Sequence, residues 1–71
     1  MAAMSRTDEL TRAIEAAGGV VALARALRIS SAAVAQWRAV PAARVQDVSR
    51  ATGIPAADLR PDLAEAFAQV R

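Results

Sequence analysis

Three residue types that often carry enzyme chemistry are absent from this sequence, which contains no histidine, no cysteine and no lysine. The chain therefore lacks the usual general bases, thiol nucleophiles and Schiff-base amines, and neither disulfides nor thiolate-bound metals are available to stabilise it. Its carboxylates lie at predicted helix starts or on outward faces, and Gly18-Gly19 marks a helix boundary rather than a phosphate-binding loop. We expect a protein without enzymatic activity, metal or cofactor.

Long apolar segments are also absent. No run approaches the roughly 20 residues of a transmembrane helix, and no signal peptide precedes the predicted fold, so we expect a soluble cytoplasmic protein. A chain of 71 residues makes one domain. A domain of this size buries about 60% of its unfolded surface, and its stability must come from helix packing, to which dimerisation could add. We expect residues 1–6 to be a flexible leader and residues 7–71 to form the domain.

The formal net charge is only +2, yet the isoelectric point is about 11.1 because every basic residue is arginine. Arginine makes planar, bidentate contacts with phosphate and with guanine, which suits a nucleic-acid partner. A coding bias that raises arginine and alanine together explains the same composition. So low a net charge does not by itself require a polyanionic partner.

Residues that typically begin or end helices divide the chain into short helices. Ser5 or Thr7 is placed to cap the first helix, Gly18 and Gly53 suit left-handed helix ends, and Pro41 suits a first helical turn. Ser30 or Ser31 is placed to cap the third helix. We therefore predict an all-α fold with helices over residues 8–17, 20–27, 31–39 and 41–52, then a short turn over 54–59 and a last helix over 61–70.

The centre of this pattern is the segment 19–38. Leu23, Ala24 and Leu27 share one face of the second helix, and the apolar spacing restarts with Val34 and Trp37 in the third. Two short helices joined by a tight turn are typical of a helix-turn-helix. We interpret Trp37 as a core residue rather than as a base-stacking one, because tryptophan buries a large area.

Several sequence motifs resemble those of the lambda-repressor/Cro-like superfamily, in particular the short Cro-like or YdaS-like regulators of prophages and toxin–antitoxin loci. They are AIEAAGG, ALARAL and AVAQW within the first three helices, and VPAARV, ATG and LRPDL after them. The resemblance covers about residues 10–63. It implies a compact bundle of five helices that binds DNA, with the second helix of the motif in the major groove.

The resemblance also implies which residues contact bases. When the base-contact positions of the family are transferred to this sequence one by one, they correspond to Ser31, Ala32, Ala35 and Gln36. Glutamine bonds adenine bidentately and alanine contacts the thymine methyl group. Relatives often have polar side chains where this chain has Ala32 and Ala35, so few hydrogen bonds would read the sequence.

Backbone contacts are expected from a second group of residues. The turn of the motif has Arg28 where relatives have glycine, so either the turn differs or the arginine was recruited to a phosphate. Relatives also have a longer basic loop where this chain has only Arg38-Ala39. The candidate phosphate contacts are Arg25, Arg28, Ser30, Arg38 and Arg44, and the arginines among them could equally be solubilising charge.

Two functional hypotheses follow. The first is a sequence-specific transcriptional regulator, a phage or prophage Cro-like repressor that binds a double-stranded operator as a homodimer in a bacterial cell or phage-infected host. The second is a helix-turn-helix repurposed to bind protein, as an antitoxin or adaptor with weak DNA binding. Phe67 and Val70 either pack back on the domain or form dimer contacts.

Overall fold

The structure is a computed structural model that describes residues 6–64. This part of the chain is all-helical and has no strand, which confirms the predicted fold class. Its five α-helices are α1 (Asp8–Ala17), α2 (Val20–Leu27), α3 (Ser31–Ala35), α4 (Val45–Thr52) and α5 (Ala56–Leu59), with 3-10 turns at Ala42–Arg44 and Pro61–Leu63. None of these helices is long and apolar enough to span a membrane.

The helix ends follow from the capping residues. Thr7, one of two predicted caps, accepts a hydrogen bond from the backbone N–H of Leu10 at 3.1 Å and so begins α1. Gly18 ends this helix in the left-handed region, with φ of 101°. Gly53 ends α4 in the same way, with φ of 79°. Glycine at both positions removes the Cβ clash that other residues suffer there.

The core forms around α2, which packs against α1, α3 and α4. Leu23 of α2 is fully buried, and Ala24 and Leu27 are nearly so, as the spacing predicted. Because Ala24 is small, a neighbouring helix can approach α2 closely at this point. The other buried core residues are Leu10, Ala13, Ile14, Val34, Val40, Val45, Val48 and Leu59.

Two parts of the core differ from the sequence-based expectation. Ala13 and Val40 are fully buried although neither was predicted to be a core residue. Trp37 packs against the core, as expected, but is only partly buried. It therefore lies at the edge of the core rather than at its centre.

The third helix is shorter than predicted. It ends at Ala35 and does not continue to residue 39. The N–H of Gln36 is shared between the carbonyls of Ala32 and Ala33, and the N–H of Trp37 bonds the carbonyl of Val34 at 3.1 Å. This tightened last turn closes the helix. The chain then runs as an irregular loop over residues 37–41.

The fourth helix begins later than predicted, at Val45 rather than residue 41. Pro41 has an extended ψ of 142°, and its carbonyl accepts the N–H of Arg44 at 2.8 Å to form a 3-10 turn. The short turn predicted over 54–59 is present as α5. Of the predicted last helix, Pro61–Leu63 is a 3-10 turn. Residues 65–70 lie outside the described residues.

The close packing at Ala24 generates a testable prediction. Ala24→Leu should lower the free energy of unfolding by about 1–3 kcal/mol, because the enlarged side chain meets a filled core. Ala26→Leu, the same change at an exposed site of the same helix, should stay within about 0.5 kcal/mol of wild type. Urea unfolding followed by circular dichroism would measure both. Equal effects of the two substitutions would contradict the burial of Ala24.

Candidate nucleic-acid interface

The outward face of α3 presents the four predicted base-contact residues. Ser31, Ala32, Ala35 and Gln36 are all exposed, whereas Val34 on the opposite side is fully buried. Residues at i, i+1, i+4 and i+5 share one side of a helix. Gln36 lies just beyond the last helical residue but retains helical dihedral angles, so it continues this face. The structure thus brings the four residues together on one exposed surface, named here the α3 face.

The turn before α3 has the conformation that favours glycine, although it contains Arg28. This residue has φ of 61° and ψ of 42°, and it is the one non-glycine residue of the described chain with a positive φ. The left-handed conformation costs a residue with a Cβ about 1–2 kcal/mol. The turn therefore has a conformation that suits glycine although it contains arginine, and the contact of Arg28 with a phosphate stays a prediction. The Arg28 side chain is exposed, and within residues 6–64 it makes no ion pair.

Ser30 fixes the start of α3. Its hydroxyl oxygen accepts the backbone N–H of Ala33 at 3.1 Å, so Ser30 rather than Ser31 is the cap. The Ser30 hydroxyl still has its own proton to donate to an outside acceptor. The Ser31 side chain is exposed at the first position of the α3 face.

The remaining phosphate candidates differ in their surroundings. Arg25 on α2 and Arg38 in the loop after α3 are exposed. Arg44 is half-buried, and its guanidinium lies 3.8 Å from the carboxylate of Asp47, which also bonds Arg50 at 3.0 Å. Because such exposed pairs are weak, Asp47 restrains Arg44 only slightly.

Acidic and basic residues are distributed unevenly along the sequence, which the low net charge does not show. No acidic residue lies between Glu15 and Asp47, whereas this stretch contains Arg25, Arg28, Arg38 and Arg44. All charged residues of the helix-turn-helix and of the loop after it are therefore basic. The carboxylates that reduce the net charge to +2 are confined to α1, α4 and the segment from α5 onward. Counting charge by segment would have revealed this asymmetry from the sequence.

The loop over residues 37–41 is held by two contacts from outside it. The N–H of Thr7 bonds the carbonyl of Arg38 at 2.8 Å, and Nη1 of Arg60 bonds the carbonyl of Val40 at 2.8 Å. Arg60 is also paired with Asp62, to whose two carboxylate oxygens it donates through Nε at 3.0 Å and Nη2 at 2.8 Å. These hydrogen bonds lower the pKa of Asp62 and raise that of Arg60. No local pattern could have predicted the contact with Val40, twenty residues away.

One further exposed feature was not predicted. Val21 on α2 is 58% exposed, a high value for a large aliphatic side chain. The predicted dimer contacts, Phe67 and Val70, lie outside the described residues. Within residues 6–64, the α3 face therefore belongs to a stretch of sequence whose charges are all positive, and the helix before it exposes one large apolar side chain.

Comparison with known proteins gives one family. The family model described as bacterial toxin YdaS matches residues 10–67. No curated protein and no solved structure matches the chain significantly. The wider likeness to the lambda-repressor/Cro-like superfamily stays a prediction. Since the matched residues make up most of the sequence and include α2 to α5 and nearly all of α1, the chain belongs to the bacterial toxin YdaS family.

Proposed function

We propose that this chain is a sequence-specific DNA-binding transcriptional regulator, of the Cro-like repressor kind found in phages and prophages. The observation that carries the proposal is the exposed α3 face set within a stretch that contains four arginines and no acidic residue. Arginines that precede and follow a short exposed helix in the sequence would attract the phosphate backbone, while the helix presents side chains to base edges. The protein acts in the cytoplasm without catalysing a reaction.

Reading of the bases falls to the α3 face. The Gln36 amide both donates and accepts, so it pairs with the N6 and N7 edge of adenine, and the Ser31 hydroxyl reaches a neighbouring base. The methyl groups of Ala32 and Ala35 pack against thymine methyl groups. One bidentate pair supplies about 1–3 kcal/mol of discrimination. Direct readout by one copy is therefore modest, and DNA shape contributes the rest.

Affinity and register come from contacts to the phosphates. Arg25, Arg28 and Arg38 flank the α3 face in the sequence, on the helix before it, in the turn and in the loop after it. Arg44 and the Ser30 hydroxyl add two further donors. These contacts position the protein on the duplex without selecting a sequence.

The length of α3 favours a dimer. Five helical residues extend about 7.5 Å, which matches two to three base pairs at about 3.4 Å each. Such a short site is too common to specify one operator. Two copies bound to half-sites about one helical turn apart would read a longer palindrome. Occupancy of that operator would exclude polymerase from an adjacent promoter.

A second candidate function is a protein-binding module, as an antitoxin or adaptor. Exposed Val21 and the alanines of the α3 face favour it, because apolar side chains suit a protein interface better than a DNA groove. This alternative and the repressor differ in their response to a pool of DNA sequences.

Selection of bound duplexes from a randomised DNA pool tests the proposal. The wild-type chain should enrich a palindrome with half-sites about 10 base pairs apart. Gln36→Ala should enrich the same palindrome with relaxed preference at one adenine in each half-site, while its circular dichroism spectrum stays unchanged. If the wild type enriches no sequence, the operator-binding proposal is wrong and the protein-binding alternative is favoured.

Arg28 offers a prediction in which stability and affinity move in opposite directions. Arg28→Gly should raise the free energy of unfolding by about 0.5–1 kcal/mol, the relief of left-handed strain less the entropy of glycine. It should also weaken binding to every duplex several-fold, because glycine has no guanidinium to bond a phosphate. Arg28→Lys keeps both the charge and the strain, so it should resemble wild type more closely in both properties.

Thermal unfolding and fluorescence anisotropy with labelled duplexes would measure the two effects. A gain in stability with no loss of affinity would show that Arg28 does not bind a phosphate.

A further inference from the structure

We propose that Arg60 is a positioning residue for the DNA-binding surface, which it acts on through the loop over residues 37–41. This inference rests on the proposed function and extends it to a residue that is remote in sequence from the helix-turn-helix. The loop has no regular structure and connects α3 to the 3-10 turn at Ala42–Arg44.

The loop follows directly on the α3 face. It begins after Gln36, contains the phosphate candidate Arg38, and ends at Pro41. The N–H of Thr7 bonds its backbone at the Arg38 carbonyl, and Arg60 bonds it at the Val40 carbonyl two residues later. Val40 itself is fully buried, so the loop is also anchored by its side chain. Together these contacts fix the backbone on both sides of Ala39.

The geometry of the Arg60 contact requires a guanidinium. Nε and Nη2 bond the two carboxylate oxygens of Asp62, which leaves Nη1 to donate to the Val40 carbonyl. A planar guanidinium offers these donors in fixed directions, whereas the single ammonium of lysine does not. The Arg60 side chain is only 23% exposed, in contrast to 76% for Arg50. Asp62 thus orients Arg60, and Arg60 holds the loop.

Two consequences distinguish this role from general stabilisation. First, Arg60 and Asp62 should act as a unit, since Asp62 affects the loop by orienting the guanidinium. Second, the effect should appear at reporters in the loop and in DNA binding while the helices remain intact. The chain supplies two reporters, which are the indole of Trp37 within the loop and the N–H of Thr7 bonded to Arg38.

The experiment compares Arg60→Lys and Asp62→Asn with a matched control, Arg50→Lys. The control alters a second arginine–aspartate pair, that of Arg50 and Asp47, which lies on α4 and in which the arginine is exposed. For each folded variant we would measure Trp37 emission, amide hydrogen exchange at Thr7, and affinity for the selected operator or, failing one, for a random-sequence duplex.

We expect Arg60→Lys and Asp62→Asn to shift Trp37 emission and to speed Thr7 exchange. Both should weaken DNA binding about 2- to 10-fold, the range that one net hydrogen bond supplies. The Arg50→Lys variant should leave all three readouts at the wild-type value. Helical content should be the same in every variant.

Two results would overturn the inference. Unchanged Trp37 and Thr7 signals in the Arg60→Lys variant would show that Arg60 does not hold the loop. A loosened loop with DNA affinity equal to the control would show that the loop does not position the binding surface. If the wild type binds no duplex, the proposed function itself is wrong, and the role of Arg60 in DNA binding is rejected with it, whatever the loop reporters show.

Discussion

The packing of α2 against three other helices is the constraint on which the rest of the structure depends. Leu23 is fully buried, and Ala24 is small enough to admit a neighbouring helix. With α2 fixed, the turn at Arg28 and the cap at Ser30 determine where α3 begins. Burial of Val34 then sets the rotation of α3, and its other side, with Ser31 and Gln36, faces solvent. One side of α3 thus packs into the core, and its other side forms the candidate interface.

The sequence predicted the features that depend on local chemistry. Helices α1 and α2 have the predicted bounds because the Thr7 cap and the glycines between the two helices act within one turn of the chain. The conformation of the turn at Arg28 could not be predicted from the sequence, and only the three-dimensional path of the chain shows that it is left-handed. The predicted base-contact residues are exposed together on α3, and their contact with DNA stays a prediction.

Features that depend on distant contacts were not predicted. The end of α3 at Ala35 follows from a tightened turn and from a loop that is bonded to Thr7 and Arg60. The apolar spacing alone predicts a helix that continues to residue 39, because Trp37 fits the same spacing as Val34. The burial of Val40 was not predicted, since the position of a residue before proline indicates only a helix boundary.

If the acid-free helix-turn-helix binds the DNA backbone, the affinity for DNA depends on the salt concentration. We would measure duplex affinity against sodium chloride concentration for wild type, Arg25→Ala and, as a control on α1, Arg12→Ala. We expect a plot of log affinity against log salt concentration to have a steep negative slope. Arg25→Ala should make this slope shallower by about 0.9 if that side chain neutralises one phosphate, while Arg12→Ala should leave the slope unchanged. A slope near zero, or equal effects of the two substitutions, would contradict backbone binding by the helix-turn-helix.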